Sequence, residues 1–438
     1  YSNTLEVPFV FDDTQNIKGN PHIRLTSLDM SKITDAGLKS PCANRPFANI
    51  SFAINYYLHR YDVTGYHIVN TVIHFINAIL IYLFSLVTLR LLFGEGSSMQ
   101  ERQGYWQYQI PAFITSLLWL SHPIQIQSVT YIVQRMNSMA VMFYMLSLLF
   151  YIYARLTNTA FKRWLFFIGC IISWVVSLGS KEIAITLPLI ILLYEWFFFQ
   201  DLNLGFFKRC LTFWIWPVIA LFAFALIFYL GTDPFDKIRE GYVQRNFSPY
   251  ERVLTQFRVV FFYISLLFYP HPDRLNLDHD IEVSRSMFDP ITTLLSMLFI
   301  FGSILIATIT MIRYKSHGLH KSNDVNRYTL LLCFCIFWFF INLVLESSII
   351  PLEMVFEHRV YLPSVCFFLA ITTGGFLFAS LLGQANAKAD KPIKTAVVFS
   401  FVFIALILAI GTYQRNKIWQ NDLTLWKDCV KKSPNKAR

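Results

Sequence analysis

Long apolar runs recur along this chain and leave little room for soluble domains. Eleven runs stand out, at residues 66-93, 108-121, 136-156, 164-178, 183-200, 211-230, 252-270, 290-312, 328-345, 359-382 and 393-412. About 20 apolar residues make an α-helix long enough to cross a hydrocarbon core of roughly 30 Å. Hydrophobic residues are 55% of the 438 residues and charged residues only 15%, a balance that a soluble domain could not bury. The sequence therefore predicts an all-α polytopic membrane protein.

Clusters of Lys and Arg in short loops predict which loops face the cytoplasm. Four clusters occur, at Arg155, Lys162 and Arg163, at Lys208 and Arg209, at Arg313, Lys315, Lys321 and Arg327, and at Lys388, Lys391 and Lys394. All four clusters lie on the same side of the membrane only if one of the eleven runs does not cross it. The best choice is 252-270, because Arg252, Gln256 and Arg258 make its first half polar. We expect this helix to lie in or dip into the outer interface, which leaves ten crossings.

This topology puts the remaining polar segments in one outer compartment. They are residues 1-65, 122-135, 179-182, 231-289, 346-358 and the tail after 412. The predicted parts are a first outer loop (1-65), transmembrane helices (66-230), a second long outer loop (231-289), transmembrane helices (290-412) and an outer tail (413-438). Because no signal peptide precedes the outer start, we expect a further span before Tyr1 in the full protein.

Two polar segments carry a helical period. A helix in the first loop would lie flat among the headgroups and could roof a site. Its apolar face holds Phe47, Ile50, Ile54 and Leu58, and its polar face Asn49, Asn55 and Arg60. In the tail, Trp419, Leu423 and Trp426 repeat at helical spacing, as they would at the start of a helical repeat array. We therefore also expect the full protein to continue past this tail.

Polar groups at the predicted outer edges of the spans are the candidates for a functional site. Ionisable groups close to hydrocarbon are costly, so they tend to be paired or functional. The candidates are Asp12, Asp13, Arg45, His122, Gln134, Arg135, Lys181, Glu182, Glu357, His358 and Arg359. Cations at three edges, Arg135, Lys181 and Arg359, favour an anionic ligand such as a lipid phosphate. The paired acids Asp12 and Asp13 indicate proton-transfer chemistry.

These candidates also have structural interpretations. Asp13 could cap a helical turn that begins at Thr14. Lys181 and Glu182 could reach water from a tight hairpin between two spans. A single Arg at a membrane edge is more often an anchor than a ligand. His122, which precedes Pro123, could form only an interfacial turn.

The sequence gives little support to metal, nucleotide or nucleic-acid binding. Asp278, His279 and Asp280 are suitable ligand types, but neighbours on an extended strand point to opposite faces. Cys333 and Cys335 lack the second pair that a zinc site needs. The chain contains no glycine-rich nucleotide motif, and topology accounts for its net charge of +10. An enzyme of this build would draw its substrate from the bilayer, and a polyprenyl-phosphate-linked sugar fits.

Several motifs carry a family resemblance. They are Phe-Val-Phe-Asp-Asp at 9-13, Asn-Pro-His-Ile at 20-23, Arg-Pro-Phe-Ala-Asn-Ile-Ser-Phe-Ala-Ile-Asn-Tyr at 45-56, Gly-Tyr-His-Ile-Val-Asn at 65-70, His-Pro-Ile-Gln at 122-125, Ser-Lys-Glu-Ile-Ala at 180-184, Leu-Asn-Leu-Asp-His-Asp at 275-280 and Glu-His-Arg-Val-Tyr-Leu-Pro at 357-363. In order and spacing the chain resembles bacterial relatives of the TPR-containing transmembrane O-mannosyltransferases, the TMTC family. The Trp-rich tail resembles the start of that family's TPR array.

The resemblance implies a GT-C glycosyltransferase of about eleven helices, similar to the protein O-mannosyltransferases, in the cytoplasmic (inner) membrane with its active site on the periplasmic face. It implies Asp12 as general base, with Asp13 orienting Asp12 or the acceptor; the second acid is Asp where the O-mannosyltransferase pattern has Glu. The implied donor-phosphate ligands are Arg135, Lys181 and Arg359. The implied substrate contacts are Arg45, His122, Gln134, Glu182, Glu357 and His358.

The implied partners are a polyprenyl-phosphate-linked sugar, an acceptor protein or peptide and membrane lipids, with no metal, cofactor or nucleic acid. Two other functions stay open. A transporter or flippase of lipid-linked sugars would use polar groups deeper in the membrane, such as Glu195 and Asn342. A membrane-anchored TPR scaffold would need only one span, so ten are poor support for it.

Overall fold

The fold is a bundle of helices that pack side by side, with polar residues at both ends of the bundle. The structure is a computed structural model, and it describes residues 1–94, 105–213, 234–243, 245–316, 323–384 and 387–436. Over these ranges the regular structure is entirely helical, and they contain no β-strand. The prediction of an all-α polytopic chain is confirmed.

The α-helices are numbered here in chain order. They are α1 Met30–Leu38, α2 Pro46–His59, α3 Val63–Phe93, α4 Ile110–Ser121, α5 Arg135–Leu156, α6 Ala160–Leu178, α7 Leu187–Tyr194, α8 Leu204–Phe213, α9 Pro234–Val243, α10 Pro249–Phe268, α11 Thr292–Ser316, α12 Asp324–Val344, α13 Ser364–Gln384, α14 Ala387–Trp419 and α15 Asp422–Lys432. Short helical turns connect several of them, at Thr14–Lys18, Pro21–Ile23, Tyr105–Gln109, Pro123–Gln125, Ile126–Val129, Ile132–Gln134, Glu182–Thr186, Glu195–Phe199, Pro272–Arg274 and Glu357–Val360.

Eight helical stretches in the described ranges are long and apolar enough to cross a membrane. They are Val63–Phe93, Ile132–Leu156, Ala160–Leu178, Glu182–Phe199, Thr292–Lys315, Asp324–Val344, Ser364–Gln384 and Ala389–Trp419. Each overlaps one predicted run. The predicted run 108-121 becomes α4, a shorter apolar helix preceded directly by the π turn Tyr105–Gln109. The predicted run 211-230 lies outside the described residues from position 214 onward.

Helix α10, the run predicted not to cross, is absent from the candidate spans found among the described residues. The polar residues of its first half pack against protein, and the expected position in the interface stays a prediction. Arg252 is fully buried and donates to the carbonyls of Glu346, Ser348 and Leu352 at 2.8, 3.0 and 2.6 Å. Gln256 donates to the Met354 carbonyl at 2.9 Å. These side chains donate hydrogen bonds to backbone carbonyls of residues 346–354, an irregular segment that follows α12.

The segments predicted to be on the outer side meet at one end of the bundle. The Phe47 N–H donates to the Gly179 carbonyl at 2.9 Å, which joins the first loop to the loop between α6 and α7. The Thr130 hydroxyl donates to the Asn416 side chain at 2.8 Å and joins residues 122-135 to the end of α14. This assembly agrees with the loop-charge argument, while the compartment that the end faces stays a prediction.

The predicted cytoplasmic residues lie at the other end of α5. Arg155 pairs there with Glu195, with Nη2 and Oε1 2.9 Å apart, and Lys315 donates to the Leu202 carbonyl at 2.8 Å. Glu195 also accepts from Tyr151 and Gln200, each at 2.7 Å. It is therefore a neutralised group near one end of the bundle, and not an isolated charge at mid-membrane depth.

The amphipathic segment of the first loop is α2. Its polar side chains Asn49 and Asn55 are buried against the protein, while Ile54 and Leu58 are 42% and 64% exposed. Ile54 and Leu58 therefore point outward, as they would in a helix that lies against lipid, whereas Phe47 and Ile50 are half-buried. Arg60, predicted on the polar face, is exposed and lies just after the helix end.

The tail differs from the sequence prediction. Helix α14 ends at Trp419, and Asn421 caps a new helix by accepting from the Leu423 N–H at 2.7 Å. Because the two helices are separate, Trp419 and Leu423 do not share a face: Trp419 is 1% exposed and Leu423 is 60% exposed. The prediction of one helical face through these residues and Trp426 was wrong.

The two-ended arrangement predicts opposite labelling of Lys162→Cys and Leu423→Cys in a Cys42→Ser, Cys210→Ser background. A membrane-impermeant maleimide applied to intact spheroplasts should label Leu423→Cys and should label Lys162→Cys only after permeabilisation. Gel shift of the labelled chain is the measurement, and detergent-permeabilised cells are the control in which both label. Labelling of both from the same side would contradict the topology.

Candidate functional site

The acidic motif is tied to the start of α5 by Asp13. Its carboxylate accepts from the Val10 N–H at 2.9 Å and from the Val133 N–H at 2.7 Å, and its side chain is fully buried. Burial raises the pKa of Asp13 to about 8, while these two N–H donors and Arg135 oppose that rise. Asp13 precedes the turn Thr14–Lys18, but its side chain makes no capping hydrogen bond to it. The helix-cap interpretation is therefore wrong, and Asp13 links two segments.

Asp12 lies beside Asp13 but is only half-buried. Its N–H donates to the Tyr131 hydroxyl at 2.9 Å, and its carboxylate is a further hydrogen-bond partner of that hydroxyl. Burial, Asp13 and Asp12 raise the pKa of Tyr131 well above its ordinary value, so its phenol keeps its proton. A neutral phenol can donate to the Asp12 carboxylate while that carboxylate remains partly open to an incoming group.

Arg135 lies under the acidic motif and is fully buried. It donates to the Asn70 and Asn55 side chains at 2.7 Å each, to the Tyr66 carbonyl at 3.0 Å and to the Ser51 carbonyl at 3.3 Å. The guanidinium carbon is 4.8 Å from the Phe52 ring centroid. These partners lie on α2 and α3, so one side chain joins three helices and most of its donors are used.

Lys181 and Arg359 share one buried carboxylate, that of Glu346. The Lys181 ammonium is 3.0 Å from Glu346 Oε1 and donates to Asn137 at 2.9 Å, and Arg359 Nε is 4.0 Å from the same oxygen. All three side chains are about 5% exposed or less. Burial lowers the pKa of Lys181, and Glu346 and Glu182 oppose that shift. Two cations with one anion form a cluster with excess positive charge.

Arg45 and Glu182 connect this cluster to the acidic motif. Arg45 is bidentate to Glu182, with Nη2 to Oε1 at 2.7 Å and Nε to Oε2 at 3.2 Å. Burial raises the pKa of the half-buried Cys42 thiol, Arg45 lowers that pKa, and Glu182 and Asp12 raise it. The Arg45 pair and Asp12 therefore act electrostatically on the same thiol.

Glu357 and His358 form another side of the site and lie far from the acidic motif in sequence. Glu357 Oε1 accepts from the Asn276 N–H at 2.6 Å and contacts His279 Nε2 at 2.8 Å. The His358 ring is 3.3 Å from the Gln127 side chain. Burial lowers the pKa of His358 well below its ordinary value, and Lys181, Arg359 and Arg45 lower it further. This direction favours the neutral imidazole.

Two of the predicted substrate contacts, His122 and Gln134, lie in or beside short helical turns. His122 accepts from the Ile124 N–H through Nδ1 and contacts the Leu267 carbonyl through Nε2, both at 3.2 Å. It caps the turn Pro123–Gln125, and burial lowers its pKa to about 3, which fits the interpretation as a turn residue. Gln134 is half-buried at the end of the turn that leads into α5.

The metal interpretation of Asp278, His279 and Asp280 finds two of the three side chains engaged elsewhere. Asp278 pairs with Lys436 and His279 contacts Glu357. For Asp280 the contact is made by the backbone N–H, which donates to Ser433 at 3.0 Å, while the residue itself is exposed. Across the described ranges, no group of three or more His, Cys, Asp or Glu side chains is placed to hold a metal ion.

Sequence reasoning missed Glu346, Asn137, Gln127 and Tyr131. Glu346 follows α12 directly, at the outer edge of a span, so the rule that selected the other candidates would have found it. Asn137, Gln127 and Tyr131 are uncharged, and only their partners show that they belong to the site.

Comparison with known proteins confirms the family resemblance. The chain is 28% identical to human protein O-mannosyl-transferase TMTC2 over 214 residues, 47% of this chain and 23% of that protein. It is 28% identical to Drosophila melanogaster protein O-mannosyl-transferase Tmtc3 over 216 residues, 46% of this chain and 23% of that protein. A Caenorhabditis elegans protein O-mannosyl-transferase is 24% identical over 455 residues, which cover 100% of this chain and 57% of that protein.

The chain thus spans from about a quarter to somewhat over half the length of these relatives. No family model matches the chain. No solved structure matches it either.

The contacts of Arg135 predict that its role is in stability. Arg135→Lys keeps the charge but cannot reach four acceptors on two other helices, and hydrogen bonds to charged groups contribute about 1.5–3 kcal/mol each. We expect a lower Tm in detergent, corresponding to about 2 kcal/mol or more. The exposed Arg163→Lys is the matched control and should not change Tm. An unchanged Tm for Arg135→Lys, with weaker donor binding, would instead support a phosphate contact.

Proposed function

We propose that this chain is a glycosyltransferase that moves a sugar, mannose or another hexose, from a polyprenyl-phosphate donor to a hydroxyl group of a secreted or membrane protein. The names of the related proteins support transfer of mannose to protein oxygen. The observation that carries the proposal is the pairing of a half-buried acid, Asp12, with a buried cluster of excess positive charge at the same end of a membrane bundle.

In this proposal Asp12 is the general base, and Asp13 positions it. Both oxygens of Asp13 already accept backbone N–H groups, whereas Asp12 is the more exposed acid. A base must come within hydrogen-bond reach of the acceptor hydroxyl. Asp13 supports that reach by holding residues 10 to 13 against Val133.

The reaction is a single displacement. Asp12 takes the proton of the acceptor Ser or Thr hydroxyl as that oxygen attacks the anomeric carbon. The bond from this carbon to the phosphate oxygen breaks, and the polyprenyl phosphate leaves with the electron pair. Attack and departure on opposite faces invert the sugar carbon. The leaving phosphate gains one negative charge, so fixed positive charge near it lowers the barrier.

Lys181 and Arg359 are the proposed source of that charge, and Arg45 with Glu182 and His358 are proposed to line the sugar. An ammonium has three N–H donors, and Asn137 and Glu346 take two from Lys181 in the described structure. One donor remains for a phosphate oxygen. We no longer assign Arg135 to the phosphate, because its donors are used between helices. This scheme requires neither a metal nor a cofactor.

We propose that the site faces the outer side of the cytoplasmic membrane. The support is the distribution of basic residues, since Arg155, Lys162 and Arg163 lie at the far end of α5 and α6 from the acidic motif. The donor tail would then lie in the bilayer, next to faces such as that of α6, where Ile172 and Val175 are 58% and 49% exposed.

A transporter or flippase of lipid-linked sugars has less support. Glu195 is neutralised by Arg155, and Asn342 accepts from Thr186 at 2.8 Å and from Tyr144 at 3.1 Å. Both groups hold helices together. Incubation of purified protein with a polyprenyl-phosphate sugar and an acceptor peptide distinguishes the transferase from both the transporter and the scaffold, since only a transferase increases the mass of the peptide.

Asp12→Asn tests the base. The amide has the shape of the carboxylate but cannot take a proton, so kcat should fall by about 100-fold or more while donor binding and Tm stay unchanged. Asp13→Asn is the comparison: its NH2 group would face a backbone N–H, so that variant should lose stability. Turnover of Asp12→Asn at the wild-type rate would remove the assignment.

Lys181 and Glu346 can be tested as a pair. If Lys181 binds the donor phosphate, Lys181→Gln raises the donor KM, and Glu346→Gln in the same chain restores stability without restoring KM. If the pair is only structural, the double variant recovers both, because one buried charge of each sign is removed while Arg359 keeps its hydrogen bonds to the Met354 and Glu353 carbonyls. The measurement is donor KM and Tm for the two single variants and the double variant.

A further inference from the structure

The C-terminal tail, from the end of α14 onward, packs against the acidic motif through aromatic rings. The Trp426 ring lies 6.0 Å from the Phe11 ring in an edge-on arrangement, and the Trp419 ring lies 6.0 Å from the Tyr131 ring. The Tyr131 hydroxyl in turn accepts from the Asp12 N–H at 2.9 Å. Two tail residues therefore contact the two residues on which the position of Asp12 depends.

The backbone of Phe11 is strained and needs this support. Its φ is 49°, in the left-handed region that residues with a β-carbon rarely adopt. Such a conformation persists only when neighbouring groups hold it. The Phe11 ring is held between Tyr131, at 6.4 Å, and Trp426. The turn that sets the direction of Asp12 thus depends on a ring that comes from the tail.

The same tail also holds the opposite side of the site. The Ser433 hydroxyl donates to the Asp278 carbonyl at 2.8 Å and accepts from the Asn276 side chain at 2.9 Å. Lys432 donates to the Pro272 and Leu275 carbonyls, each at 2.8 Å. The Asn276 N–H donates to Glu357 at 2.6 Å. The tail therefore fixes the loop that orients Glu357.

We infer that residues 419–433, called here the tail clamp, are part of the active site, and that Trp426 and Ser433 are positioning residues that hold the acidic motif and the Glu357 loop in register. The kinetic part of this inference rests on the proposed transferase function.

Trp426→Ala in the full chain tests the first contact. Loss of the ring should free Phe11, so hydrogen exchange of residues 11–13 should become faster while exchange within α3 stays unchanged. Misplacement of a catalytic group can cost up to about 100-fold, and we expect kcat to fall by about tenfold or more with the donor KM unchanged. Trp426→Phe should restore most of both. Leu423→Ala, on the same helix at a 60% exposed position, is the matched control and should behave as wild type.

Ser433→Ala tests the contact between the tail and the loop that orients Glu357. It also tests the inference if Trp426→Ala does not fold. Exchange of the Asn276 N–H, which does not contact Ser433, should become faster, whereas Lys431→Ala, at an exposed neighbour, should have no effect. Exchange at residues 11–13 and at Asn276 equal to that of the control variants would overturn the clamp. The exchange result does not depend on activity: wild-type turnover by Asp12→Asn would remove the proposed function and leave the clamp standing.

Discussion

One buried guanidinium holds together the end of the bundle on which the candidate site is built. Arg135 begins α5, and its donors reach α2 and α3. A charge with no exposure to water is tolerated only when polar partners replace its hydration, and here two Asn side chains and two backbone carbonyls do so. Because these partners lie on two other helices, the position of α2 over the bundle is fixed by the same contacts. The turn that receives Asp13 directly precedes Arg135.

The other buried charges at this end of the bundle also need polar partners, but their partners include carboxylates. Lys181 and Arg359 are also buried, but they share the single carboxylate of Glu346. Their positive charge is therefore only partly neutralised, whereas Arg45 and Glu182 neutralise each other. A buried excess charge is costly, and the proposed binding of a donor phosphate rests on it. The difference between Arg135 and Lys181 is thus a difference of partners, although both are cations at the edge of a span.

Much of the architecture could be predicted from the sequence. Eight apolar runs became helices of spanning length, and the polar run 252-270 became a helix that is not among the candidate spans of the described residues. The charged candidates Asp12, Arg45, Lys181, Glu182 and Arg359 do gather at one end. Periodicity was less reliable where a cap intervened: Trp419 and Leu423 have helical spacing, but Asn421 starts a new helix between them. Helix α2 has the predicted two faces, with the polar one turned toward the protein.

The sequence by itself determined the fold class, the spans and which polar residues lie at their edges, because the bilayer imposes length and hydrophobicity one segment at a time. Only the tertiary structure decided the partner of each of those residues. Asp13 differs from Asp12 because Val133 contacts one and not the other, and Arg135 differs from Arg359 because Asn55 and Asn70 surround it. Such pairings join residues far apart in the chain, and helix packing alone brings them within hydrogen-bond distance. The same reason explains why the tail helix α15, predicted only as the start of a repeat array, contacts the acidic motif at the other end of the chain.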